Sequence, residues 1–79
     1  MTQTDRHPIR FDDPRPALGL RVRALRESQD LSIRKLALMV GLNKNLVNDI
    51  ELGRANPTVV SLAKLAAGLG VDLADLLRA

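Results

Sequence analysis

Residues 33–52 read IRKLALMVGLNKNLVNDIEL, and this stretch decides the fold. Leu36, Ala37 and Val40 recur at three- and four-residue spacing, which places them on one side of a helix. Ser32 stands just before them as an N-cap, and Gly41 follows as a residue that takes the left-handed conformation at low cost. After Leu42, Asn43 is a second N-cap. Val47, Ile50 and Glu51 then share one arc of the next segment, and Gly53 ends it. Two short helices therefore meet across Gly41-Leu42-Asn43. Ala37 is small enough for a close crossing, and Leu36, Val40, Leu42, Val47 and Ile50 supply an apolar seam.

The flanks extend the pattern. Pro16 suits a first helical position, and Leu18, Val22 and Leu25 continue a helical stripe to about Gln29. Beyond the seam, Asn56-Pro57-Thr58 reads as a loop and cap. Val59, Leu62, Leu65, Ala66 and Leu69 form an amphipathic stripe closed by Gly70. Asp72 caps a last short helix, about Asp72–Arg78, with Asp75 in its first turn, where an acid suits the positive dipole end. No strand alternation is visible, so the class is all-α with five helices. Residues 1–16 hold Pro8, Pro14 and Pro16 and lack an apolar period. They are expected to be a flexible N-terminal arm, with residues 17–79 as the single domain.

Composition narrows the function. Twelve Lys and Arg against nine Asp and Glu give a net charge of +3. In the first sixteen residues Arg6, Arg10 and Arg15 balance Asp5, Asp12 and Asp13, so the surplus lies in the remainder. That leans toward a polyanionic partner. Phe11 is the only aromatic residue, which disfavours the stacking platforms of single-strand and RNA binders and leaves duplex DNA. Cys is absent, so no disulfide or thiolate metal site is available. His7, the only histidine, sits in the arm without a Cys or carboxylate at ligand spacing, and no Gly-rich phosphate loop follows a strand. The expectation is a protein without cofactor or metal, and not an enzyme. No stretch approaches the ~20 apolar residues of a membrane span and no signal peptide opens the chain, so a soluble, cytoplasmic protein is expected.

The complete set of turn, caps and seam is that of a helix-turn-helix. From ALGLRVRALRES through LSIRKLALMVGLNKNLVNDIELGRANPTVVSLAKLAAGLGVDLADLL, Ala17 to Leu77 resembles the Xre-type family of phage repressors and Cro proteins. The resemblance implies a lambda-repressor-like domain that binds double-stranded operator DNA as a two-fold dimer. Its third helix, about Asn43–Leu52, would lie in the major groove. Lys44, Asn45, Asn48, Asp49 and Leu52 fall on that helix's outward arc. Asn pairs well with adenine, Lys with guanine or phosphate, and Asp with the cytosine amino group. Elsewhere such an arc is only a solvated face; in this motif Lys44, Asn45, Asn48 and Asp49 are the candidate base readers. Ser32 and the amide of Ile33, at a helix N-terminus, form an anion-binding point. Arg34, Arg54 and Asn56 match phosphate-contacting regions of the family. The family also often pairs an Arg on the first helix with a Glu on the third, here Arg26 and Glu51. A lone Glu51 on the buried arc would be expensive.

The chain departs from the family it resembles where apolar residues replace polar ones, at Leu20, Ile33, Leu38, Met39, Leu46, Leu52 and Val60. Gln is usual at the position of Ile33. This many substitutions suggest covered surface. Ile9 and Phe11 of the arm are candidates to cover part of it, and a partner protein through Leu38 and Met39 to cover the rest. Two functions follow: an autonomous transcriptional regulator, expected to be a repressor, or an antitoxin that binds a toxin and represses its own operon. The first is favoured because no long extension exists to wrap a toxin. Leu73, Leu76 and Leu77 exceed what one face of a short helix needs, and they are the expected dimer interface, the alternative being that they only close the core of a single domain.

Overall fold

The computed structural model describes residues 9–78, so His7 and the first eight residues of the expected arm lie outside it. Five helices follow in order: α1 (Arg15–Ser28), α2 (Ile33–Val40), α3 (Lys44–Glu51), α4 (Val59–Leu69) and α5 (Leu73–Leu77). There is no strand among the described residues.

Local chemistry sets most of the boundaries. The Ser32 hydroxyl accepts the Lys35 N–H at 2.9 Å, the Asn43 side-chain Oδ1 accepts the Asn45 N–H at 2.7 Å, and the Thr58 hydroxyl accepts the Ser61 N–H at 3.0 Å. Each bond satisfies a donor that the first helical turn leaves orphaned. At the start of α5 the Asp75 carboxylate reaches back to the Asp72 N–H at 3.3 Å. α2 ends at Gly41, whose φ of +70° turns the chain toward α3. α1 begins at Arg15 with Pro14 at its N-cap, so Pro16 takes the second helical position rather than the first. Its C-terminal end turns through Asp30 at φ +56°, a left-handed conformation that Asp tolerates better than most residues.

The core draws on every helix. Val22 of α1, Leu36 of α2, Val47 and Ile50 of α3, Leu65 of α4 and Leu76 of α5 are fully buried together. Two long-range bonds complete the frame. Gln29 Nε2 donates to the Leu69 carbonyl at 2.8 Å, and Arg21 Nε donates to the Asp75 carbonyl at 3.1 Å. Both satisfy carbonyls at helix ends, tying α1 to α4 and α5.

Burial corrects two expectations. Leu76 is 1 % exposed and fills the core, so it offers no surface to a second copy; Leu77 is exposed and Leu73 half-buried. Ile9 and Phe11 do not cover the apolar surface, for both stand almost wholly in solvent. Residues 9–14, the described run before α1, carry no helix or strand to hold them down.

Candidate nucleic-acid interface

α3 is held from behind and open in front. Val47, Ile50 and Glu51 face inward, whereas Lys44, Asn45 and Asn48 are exposed on the outer arc. Asp49 lies at the edge of that arc, half-buried. Its backbone carbonyl accepts the N–H groups of Arg54 at 2.9 Å and Ala55 at 3.3 Å. The turn that carries Arg54 is thereby folded back onto the end of α3.

The start of α2 lies alongside. Ile33 and Arg34 line an open groove of about 410 Å³ together with Lys44, Asn45 and Asn48. Ser32 is exposed at the same end, and a hydroxyl that accepts the Lys35 N–H still has its own proton to donate. Arg54 and Asn56 are exposed beyond the C-terminal end of α3. Among the described residues the ion pairs are Arg15–Asp13, Arg23–Glu27, Arg26–Glu51 and Arg78–Asp75. Arg34 and Lys44, which line the groove, and Arg54, exposed beyond the end of α3, belong to none of them, so none of these three cations is paired with a carboxylate among the described residues. A surface of this kind attracts phosphate.

Two contacts fix α3 on the domain. Arg26 Nε and Nη2 donate to the Glu51 carboxylate at 2.6 and 2.9 Å, a bidentate pair, and Arg26 Nη1 donates to the Leu31 carbonyl at 2.7 Å. The pair is almost shielded from water, with side-chain exposures of 12 % and 4 %. The hydrogen bonds to Glu51 raise the Arg26 pKa above its ordinary value against the opposing effect of burial, and the charges of Glu51 and Glu27 act in the same upward direction. The second contact is steric. Gly19 of α1 sits directly against the carbonyls at the end of α3, and a Cβ there would stand 2.5 Å from the Glu51 oxygen and closer still to that of Ile50.

The sequence reading missed Gly19, Gln29 and Arg21. For Gly19 a signal existed: a residue without a side chain on the same arc of α1 as Leu18 and Val22 marks a close crossing. Leu38 and Met39 stand exposed on α2, and none of the described residues covers them.

A family model described as helix-turn-helix (HTH_3) matches residues 22–76. The chain belongs to that family. Curated relatives include the control protein C.MunI of a Mycoplasma species, 35 % identical over 67 residues, spanning 84 % of this chain and 90 % of that protein. The control protein C.BamHI of Bacillus amyloliquefaciens is 37 % identical over 60 residues, spanning 75 % of this chain and 74 % of its own. Among solved structures, the restriction-modification controller protein C.AhdI of Aeromonas hydrophila superposes with a TM-score of 0.75 at 34 % identity, covering 77 % of this chain and 92 % of that one.

Proposed function

We propose that this helix-turn-helix DNA-binding transcriptional regulator acts as a repressor and inserts α3 into the major groove of a two-fold operator, as a homodimer in the cytoplasm. The observation that carries this reading is the open groove, in which Asn45, Asn48 and Lys44 stand free beside Ile33 and Arg34 on a helix pinned by Arg26 and Glu51. Asn and Lys meet base edges with directed hydrogen bonds. Arg34, Arg54, Asn56, Ser32 and the Ile33 amide serve phosphates, which set register without reading sequence. No catalytic step is assigned to the chain.

The likeness to control proteins supports an autonomous regulator over a toxin-binding antitoxin. That no helix among the described residues is long and apolar enough to cross a membrane is compatible with cytoplasmic action. Leu77, with part of Leu73, is the apolar surface offered for pairing two copies. The test is competition binding between a duplex selected from a random pool and the same bases scrambled, at fixed salt. A preference of at least about a thousandfold is expected of a specific reader. Equal affinity for both would overturn the reading.

A further inference from the structure

Resting on the reading that α3 faces the major groove, we propose that Ile33 reads a pyrimidine C5-methyl group, so that the operator is recognised partly through a thymine or a 5-methylcytosine. The groove beside α3 has one apolar side chain in its wall, Ile33; the others lining it are Arg34, Lys44, Asn45 and Asn48. Ile33 is the first residue of α2 and only half-buried, with its inner side packed against the core and the rest left at the groove.

An isoleucine in that place makes no hydrogen bond. Pressed against the N7, O6 or amino groups of a base, it would strip their water and return nothing. The major-groove edges of the four bases carry a single apolar group, the C5-methyl of thymine, and 5-methylcytosine carries the same group at the same ring position. Ile33 and a pyrimidine methyl therefore shed water together with no polar group left unpaired. The neighbouring amides fit this assignment. Asn45 or Asn48 pairing with the N6 and N7 of an adenine selects an A·T pair, and the thymine of that pair presents its methyl in the same groove. One base pair is then read from both strands, by an amide on α3 and by a hydrocarbon on α2.

The test uses the full chain and a duplex recovered by selection from a random pool. Each thymine is replaced in turn by deoxyuridine, which removes only the methyl, and each cytosine by 5-methylcytosine, which adds it. Affinities are read by fluorescence anisotropy for wild type, Ile33→Val and Ile33→Ala, with circular dichroism to show that each variant is folded. For a thymine, wild type loses about fourfold at one position per half-site when the methyl is removed, the worth of roughly one buried methylene. For a methylated cytosine, wild type instead gains about fourfold at one position. In either case Ile33→Val keeps most of the effect and Ile33→Ala abolishes it. No methyl-sensitive position, or a sensitivity that Ile33→Ala retains in full, overturns the proposal. Strong preference for the selected duplex without methyl sensitivity would sink the role of Ile33 alone. Failure to select any duplex would sink the α3 reading, and this proposal with it.

Discussion

Arg26 grips both carboxylate oxygens of Glu51, at 2.6 and 2.9 Å, across the junction of α1 and α3. Its third nitrogen holds the Leu31 carbonyl, so one guanidinium joins the first helix, the third helix and the loop that leads into α2. A carboxylate as enclosed as Glu51 is tolerated only with such a partner.

Removing either residue leaves the other charge stranded. Arg26→Ala and Glu51→Ala should each cost about 3 kcal/mol or more of stability. The double substitution should cost clearly less than the sum of the two, because no uncompensated charge remains. Urea denaturation of the four proteins measures this. Strict additivity would contradict the pairing.

Gly19→Ala should destabilise by about 1–3 kcal/mol, because the new methyl meets backbone carbonyls that cannot swing aside. Gly41→Ala provides the contrast: nothing lies within 4 Å of its added methyl, and the cost is the left-handed φ alone, about 1–2 kcal/mol. Thermal melts compare them. Specific DNA affinity should also fall with Gly19→Ala, since α3 must shift. A Gly19→Ala protein as stable as wild type would show that α1 and α3 do not depend on this close approach.

Most of the architecture was legible because it is written in local chemistry. Ser32, Asn43 and Thr58 announce helix starts, Gly41 and Gly70 helix ends, and the stripe Leu62–Leu65–Ala66–Leu69 a buried face. What escaped depends on how whole elements cross. That Leu76 turns inward while Leu77 faces solvent follows from the angle at which α5 meets α1 and α4, which no local pattern encodes. The same holds for Gln29, which reaches a carbonyl forty residues away. The outer arc of α3 was readable from its helical phase. Asp49 was harder: its half-burial comes from the turn after α3 folding back onto it.

Base readers and phosphate contacts should separate in a binding experiment. Asn45→Ala or Asn48→Ala should weaken specific binding by about 1–3 kcal/mol and leave binding to random DNA nearly intact. Arg54→Ala should weaken both alike and reduce the slope of log affinity against log salt by about one unit. Titrations at several salt concentrations supply both readings. Equal losses on specific and random DNA would move the two asparagines to a positioning role, and an unchanged slope would remove Arg54 from the contacts.

Leu77→Asp should shift the protein from dimer to monomer at micromolar concentration without unfolding it, since Leu77 is 55 % exposed. Leu76→Asp would instead destroy the core. Sedimentation velocity distinguishes the outcomes. A wild type that is monomeric, or a Leu77→Asp protein that still pairs, would contradict an interface at α5.

The central claim is that two copies of α3 read base sequence in the major groove, and selection of bound duplexes from a random pool tests it most directly. One exposed arc of a short helix offers too few contacts to define a site alone, so two-fold pairing should be imprinted on the DNA. The predicted result is an inverted repeat whose half-sites are centred about 34 Å apart, roughly 10 base pairs, and whose enrichment is lost at specific positions with Asn45→Ala and Asn48→Ala. Enrichment of no sequence, or of one that both variants select unchanged, would contradict the account.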